Sequence, residues 1–277
     1  VYSGTMLVHQ PCSPGHPIDE NAAVQPKWAY PKSKAKAESV IRKEHGSIPY
    51  VLLHLAGLYS EEQAVPTLVA QIRRIYERNP KAHLYAGPVE TGQSFIHQDD
   101  LVEAFVKTVD RRKELPENTT ILAGEPETVS YDTLQRNIAE LIHGEGDWET
   151  YSVPKTLAEA GAWIEEKSEP VIPDDFDQGE KPFIRPFMVE IADDHYEIDV
   201  TKARDLLGWE PKHKILDVLP RIVENLKSDP LGWYEKNGLV LPEWLKVTGD
   251  RSDDPDALRA VAETCYKDAH ERFRWAP

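Results

Sequence analysis

Over its first 56 residues the chain reads strand, loop, helix, strand, and that order constrains the fold more than any other feature of its 277 residues. Tyr50-Val51-Leu52-Leu53-His54-Leu55-Ala56 is apolar at nearly every position, as a mostly buried strand must be. Ahead of it, residues 27 to 44 place Ala37, Val40, Ile41 and Glu44 at three- and four-residue spacing, with Gly46 just past the end. That spacing predicts a helix. Pro11 to Pro26 is a loop rich in Pro, Gly, Asp and Asn, and Val1 to Val8 reads as the end of a buried strand running into it. Such a rhythm points to a parallel sheet with helices on its faces, so the fold class is α/β.

The remaining sequence supplies scaffold. Asp99 or Asp100 is placed to cap a helix with Leu101, Val102, Phe105 and Val109 on one side, and Thr119 to Ala123 reads as a short strand. Ser130 caps a helix through His143, with Tyr131, Leu134, Ile138, Leu141 and Ile142 inward and Gly144 as its stop. Asp199 opens a short helix containing Ala203, Leu206 and Leu207, closed by Gly208. Ile215 to Lys227 carries Val218, Leu219, Ile222, Val223 and Leu226 on a helical stripe. Glu145 to Asp194 is dense in Pro, Asp and Glu, which suggests long loops of a lid-like kind. Asp250 to Trp275 is a charged helical pattern, and there is no internal repeat.

Composition narrows the partners. With 48 acidic against 32 basic residues the net charge is -16, a field that repels phosphate backbones and anionic lipid heads. No nucleic-acid partner is expected, although a few arginines in a cleft could still hold a small anionic substrate. Cys12 and Cys265 form no CxxC pattern, and the ten histidines form no HExxH cluster, so no disulfide framework and no metal is expected. The compartment expected is the cytoplasm. No apolar run approaches the roughly 20 residues that span a bilayer. Val1-Tyr2-Ser3-Gly4-Thr5 has neither an initiator Met nor a basic leader, and both ends read as cut.

The chemistry sits in Tyr30-Pro31-Lys32-Ser33-Lys34, where Tyr and Lys four apart on a helix share a face. A phenol titrates near pH 10, so a tyrosine working near neutrality needs its phenolate stabilised, and a neighbouring ammonium does this. Tyr30 could then take the proton of a substrate hydroxyl that loses a hydride, or give it back in reduction. Tyr151 and Lys155 repeat the spacing, but Pro154 stands directly before the Lys, where a continuing helix is disfavoured. Pro31, by contrast, falls in the first turn, where proline is tolerated. An isolated Tyr-x-x-x-Lys is more often a surface aromatic and a solvated charge.

Other segments change that balance. Val1 to Val8 is similar to the strand end of extended short-chain dehydrogenases/reductases, the NAD-dependent epimerase/dehydratase family, with Thr5 at the hydroxyl position 25 residues before Tyr30. Ser3 is the competing hydroxyl. Leu53 to Tyr59 resembles the family's strand and loop beside the nicotinamide, and Phe95-Ile96-His97-Gln98-Asp99-Asp100-Leu101 resembles its F-[IV]-H-x-D-D-[LV] segment. Asp199-Val200-Thr201-Lys202-Ala203 and Leu207-Gly208-Trp209-Glu210-Pro211 resemble its late signatures. The resemblance runs to about Trp244. His54 stands where relatives often carry Arg, and Gly57 where many have Asn. His97, Asp99 and Asp100 are better read as turn and cap, and Trp209 as core.

The resemblance implies a partial Rossmann-type parallel sheet, its C-terminal half, with a smaller α/β substrate-binding region. Residues 1–60 would belong to the dinucleotide-binding part, 61–245 to the substrate region with 95–123 returning to the sheet, and 246–277 to a charged tail. It implies Thr5, Tyr30 and Lys34 as catalytic, with Tyr30, Lys34, Leu55 and Gly57 at NAD or NADP, and Thr5, Met6 and Arg185 at a small-molecule substrate such as a nucleotide sugar. Lys34 would lower the phenol pKa and hold the nicotinamide ribose. A homodimer is a family expectation. No G-x-G-x-x-G follows a strand, so the pyrophosphate-binding turn is missing and the chain by itself is expected to bind NAD weakly and to be inactive. The competing readings are a non-catalytic NAD(P)-binding sensor or scaffold, which the changes at His54 and Gly57 permit, and a tail acting as an interaction or membrane-proximal linker.

Overall fold

The computed structural model describes residues 1–154, 188–189, 191–242 and 244–245. Arg185, Lys155, most of the acidic stretch after Glu145 and the charged tail from 246 lie outside the described residues.

Strands β1 (Tyr2–Thr5) and β2 (Val51–Leu55) lie side by side and parallel, with helix α1 (Ala29–Glu44) as the crossover between them. Thr5 stands opposite Leu55, and Leu55 opposite Ala123 of β7 (Thr119–Ala123), giving the parallel order β1-β2-β7. The central position of β2 explains why its residues are almost all apolar: both of its faces are covered. Short strands extend the architecture. β3 (Gly57–Tyr59) runs parallel to β6 (Phe95–His97), β4 (Leu84–Tyr85) parallel to β9 (Tyr151–Ser152), and β5 (Gly92–Gln93) antiparallel to β8 (Val129–Ser130). The chain is thus α/β with a parallel sheet, as expected.

Two apolar clusters hold it together. One surrounds the three-stranded sheet and includes Leu53, Ile121, Leu122, Ile198 and Trp209. The other packs α2 (Pro66–Tyr76), α4 (Tyr131–His143), α6 (Ile215–Ser228) and α7 (Pro230–Lys236) through Ile72, Ile138, Leu219, Ile222 and Trp233. Ser130 caps α4 by accepting from the Thr133 amide, and Gly144 closes it at φ 74°. Gly208, at φ 59°, ends α5 (Thr201–Leu207) as its position after the last periodic residue predicts.

Two helical faces differ from the periodicity. Helix α3 (Gln98–Asp110) is capped by His97, whose Nδ1 accepts from the Asp99 amide, rather than by Asp99 or Asp100. Its buried side is Asp100, Ala104 and Thr108, while Val102 and Val109 are exposed. The cause is Asp100: its carboxylate accepts from the backbone amides of Lys212 and His213, and its carbonyl accepts from the Trp209 indole, so the helix turns this residue inward. On α1 the buried residues are Pro31 and Glu38, and Val40 is exposed. Among the described residues no helix is long and apolar enough to cross a membrane.

Candidate functional site

Thr5 ends β1, buried, where the strand tightens into a single 3-10 turn over Met6–Val8; its Oγ1 accepts from the Leu7 amide at 3.3 Å and so fixes the rotamer. Tyr30 lies in the first turn of α1, followed by Pro31 within the four residues whose amides have no helical partner. Its ring is 43% exposed and packs on Trp28 at 5.5 Å between centroids. The Thr5 side chain lies near enough to the Tyr30 phenol to favour its phenolate. A hydroxyl 25 residues upstream and a phenol on a helix therefore meet at the carboxyl end of β1.

Lys34 follows one turn later. Its Nζ donates to the Ser3 carbonyl at 3.0 Å and lies 5.7 Å from the centre of the Tyr30 ring and 5.5 Å from that of Tyr2. Ser3, the competing hydroxyl, thus contributes its backbone. One expectation is corrected: the Tyr30 phenol is raised above its ordinary pKa, because burial outweighs the Thr5 hydrogen bond that favours the phenolate. The physical reason is burial of the phenol, while the Lys34 ammonium donates to the Ser3 carbonyl.

Leu55 is buried at the end of β2, and Gly57 begins β3. A Cβ at Gly57 would stand 3.2 Å from Phe95 and 3.4 Å from Gln93, so the loop backbone lies close against β5 and β6. The Met6 side chain is buried in the sheet cluster, which corrects its assignment to a substrate: that side chain is occupied by core packing. Arg185 lies outside the described residues.

Sequence reasoning missed a cavity of about 350 Å³. Leu68, Leu84, Phe95, Val129, Leu134 and the stacked pair Tyr85 and Tyr131, 3.7 Å between centroids, form its apolar walls. Thr5, Tyr30 and Lys34 do not line it, but Gln93 and Phe95, which press on Gly57, do. Asp194 lines it too, and is paired with Lys27, three residues before Tyr30. The cavity thus adjoins the entry of α1. No local signal marks it, since its lining comes from segments spread between Thr67 and Asp194.

Away from this face, Glu125 is buried with its Oε2 accepting from the Ile215 amide at the start of α6, and burial raises its pKa to about 7. His97, Asp99 and His213 are close enough together for three ligand atoms to meet. His97 Nδ1, however, caps α3 and its Nε2 faces Glu61 at 3.3 Å, so both ring nitrogens are engaged.

The family model of GDP-mannose 4,6 dehydratase matches residues 13–222, a span that includes Tyr30 and Lys34 and begins after Thr5. No curated protein matches the chain. Among solved structures it is similar to a UDP-glucose 4-epimerase with UDP-glucose from Thermotoga maritima, at 18% identity and a TM-score of 0.56, over 82% of this chain and 63% of that one. It is also similar to a UDP-glucuronic acid 4-epimerase in complex with UDP-glucuronic acid and NAD from Bacillus cereus, at 17% identity and a TM-score of 0.57, over 82% and 60%. A third is a dTDP-glucose 4,6-dehydratase in complex with NAD from Bacillus anthracis, at 13% identity and a TM-score of 0.58, over 85% and 63%. The chain therefore spans less than two thirds of the length of these structures, and at such identities the likeness is one of fold.

Proposed function

The chain belongs to the GDP-mannose 4,6 dehydratase family, and from that premise we propose that it carries the acid/base side of an NAD(P)-dependent epimerase, dehydratase or dehydrogenase acting on a secondary alcohol of a nucleotide sugar. The observation that carries this reading is that Lys34, 5.7 Å from the Tyr30 ring on the same helix face, reaches the Ser3 carbonyl of β1, the strand that ends at Thr5.

The residues present fit one end of the cofactor. Tyr30 and Lys34 are partly exposed on one side of α1, and Gly57 keeps the backbone of the neighbouring loop low. NAD(P), when bound, accepts or donates the hydride. Tyr30, a protonated phenol in this environment, gives its proton to the substrate oxygen in the reductive direction and takes it back in the oxidative one. Thr5 donates a hydrogen bond to the same oxygen and stabilises the charge developing there. Lys34 offers its ammonium to a ribose hydroxyl once it leaves the Ser3 carbonyl. The apolar cavity with its stacked tyrosines suits an aromatic ring remote from the reacting carbon, such as a nucleobase.

Tyr30→Phe tests the reading. In the presence of a dinucleotide-binding half that supplies the pyrophosphate turn, turnover of a panel of sugar nucleotides with NAD or NADP should fall at least about a hundredfold while substrate binding persists. Unchanged turnover in that assembly would eliminate Tyr30 as the acid/base group, and binding without any turnover before the substitution is made would favour a sensor.

A further inference from the structure

Glu38 follows Lys34 by four residues and Arg42 follows Glu38 by four, so Tyr30, Lys34, Glu38 and Arg42 form one stripe along α1. Glu38 is the buried member, 3% exposed. Its Oε1 lies 3.1 Å from His54 Nε2 on β2. His54 Nδ1 is 2.8 Å from His9 Nε2, and His9 Nδ1 is 2.9 Å from the Ala22 carbonyl oxygen. Both histidines are buried as well. The approach of Glu38 to His54 is off the ideal hydrogen-bond axis, and neither of those two atoms has another partner.

Counting hydrogens along this chain gives a definite result. The Ala22 carbonyl only accepts, so His9 Nδ1 must carry a hydrogen. With both rings neutral, His9 Nε2 accepts from His54 Nδ1, which leaves a bare His54 Nε2 facing a carboxylate oxygen. Two such acceptors in a buried site repel. The contact becomes attractive with one added proton, on His54, on Glu38, or on His9 with the intervening hydrogens moved along by one. Burial lowers the proton affinity of His9. The other groups facing the chain are Asp19 from the loop, Tyr2 from β1, and Arg42, whose Nη2 is 3.8 Å from Glu38.

The chain presses on the catalytic strand. A Cβ on Gly4 would stand 2.8 Å from His54 Cδ2 and 2.9 Å from Glu38 Oε1. Gly4 lies between Ser3, whose carbonyl takes Lys34, and Thr5, whose side chain stands near the Tyr30 phenol. We propose that Glu38, His54 and His9 are positioning residues for the Tyr30 and Lys34 face: a buried clamp that shares one proton beyond those of two neutral rings and sets the depth of α1 over β1. Its consequence for catalysis rests on the acid/base reading of Tyr30; the clamp itself does not.

The experiment is NMR on the full 277-residue chain, with 15N-labelled histidine, 13C-labelled glutamate and 13Cζ-labelled tyrosine, Tyr30 being assigned from Tyr30→Phe. At neutral pH one of the two rings should be doubly protonated, or Glu38 should show the shift of a carboxylic acid. In Glu38→Gln the amide can donate to His54 Nε2 and complete the chain with no added proton, so both rings should be neutral while the Tyr30 titration stays in place. In Glu38→Ala the Tyr30 titration should move toward that of a free tyrosine, near pH 10. Two neutral rings beside an ionised Glu38 in the unaltered protein would overturn the proposal, as would a folded Glu38→Ala with its Tyr30 titration unmoved. If Glu38→Ala does not fold, His54→Asn read by the same titration decides it in the same way. Because these signals need no turnover, failure of the acid/base reading shows separately, as an active Tyr30→Phe.

Discussion

Tyr30 and Glu125 show how burial, more than neighbouring charge, decides protonation in this protein. The Tyr30 phenol stays protonated because burial raises its pKa, the state that the proposed acid role requires before any ligand arrives. Its shared helix face with Lys34 was legible from spacing; its protonation state depended on burial. Glu125 gives a stability prediction with a definite sign. Its folded pKa of about 7 lies above its ordinary 4.5, mainly through burial. Its contribution to stability is therefore complete below about pH 4.5 and is lost as pH rises through about 7, amounting to on the order of 3 kcal/mol. Glu125→Gln keeps an acceptor for the Ile215 amide and should flatten that part of the profile in urea unfolding across pH 4.5 to 7. A slope equal to that of the unaltered protein would assign the effect elsewhere.

At the level of elements, β1 and α1 meet so closely that Gly4 has no room for a side chain. Gly4→Ala should destabilise by about 1–3 kcal/mol, as overpacking does, and should lower turnover by moving Thr5. Chemical denaturation beside an activity assay checks both. Gly144 is the contrasting case: nothing lies within 4 Å of its missing Cβ, but its φ of 74° strains any other residue. Gly144→Ala should cost about 1 kcal/mol by thermal unfolding and leave turnover unaffected. The ends of α4 and α5 were legible in Ser130, Gly144 and Gly208, because caps are local. The inward faces of α1 and α3 were less so. Glu38 and Asp100 interrupt the apolar periodicity, and each is drawn inside by partners on segments remote in sequence.

For the molecule as a whole, the -16 charge and the missing glycine-rich turn bear on the same ligand. NAD approaches as an anion, and the sequence has no G-x-G-x-x-G after a strand to present backbone amides to its pyrophosphate. Calorimetry on this chain should give NAD affinity no tighter than the millimolar range; micromolar binding would mean that another part of the chain holds the pyrophosphate. The sequence by itself determined the parallel α/β arrangement, the helix stops and the shared helix face of Tyr30 and Lys34, because each rests on periodicity, capping or a spacing of about one turn. Only the tertiary structure decided the orientation of Lys34, the burial of Met6, the apolar cavity between Thr67 and Asp194, and the chain from His9 through His54 to Glu38. Those features are contacts between segments far apart in the chain, and their energies come from burial and from pairing of polar groups that no local pattern records.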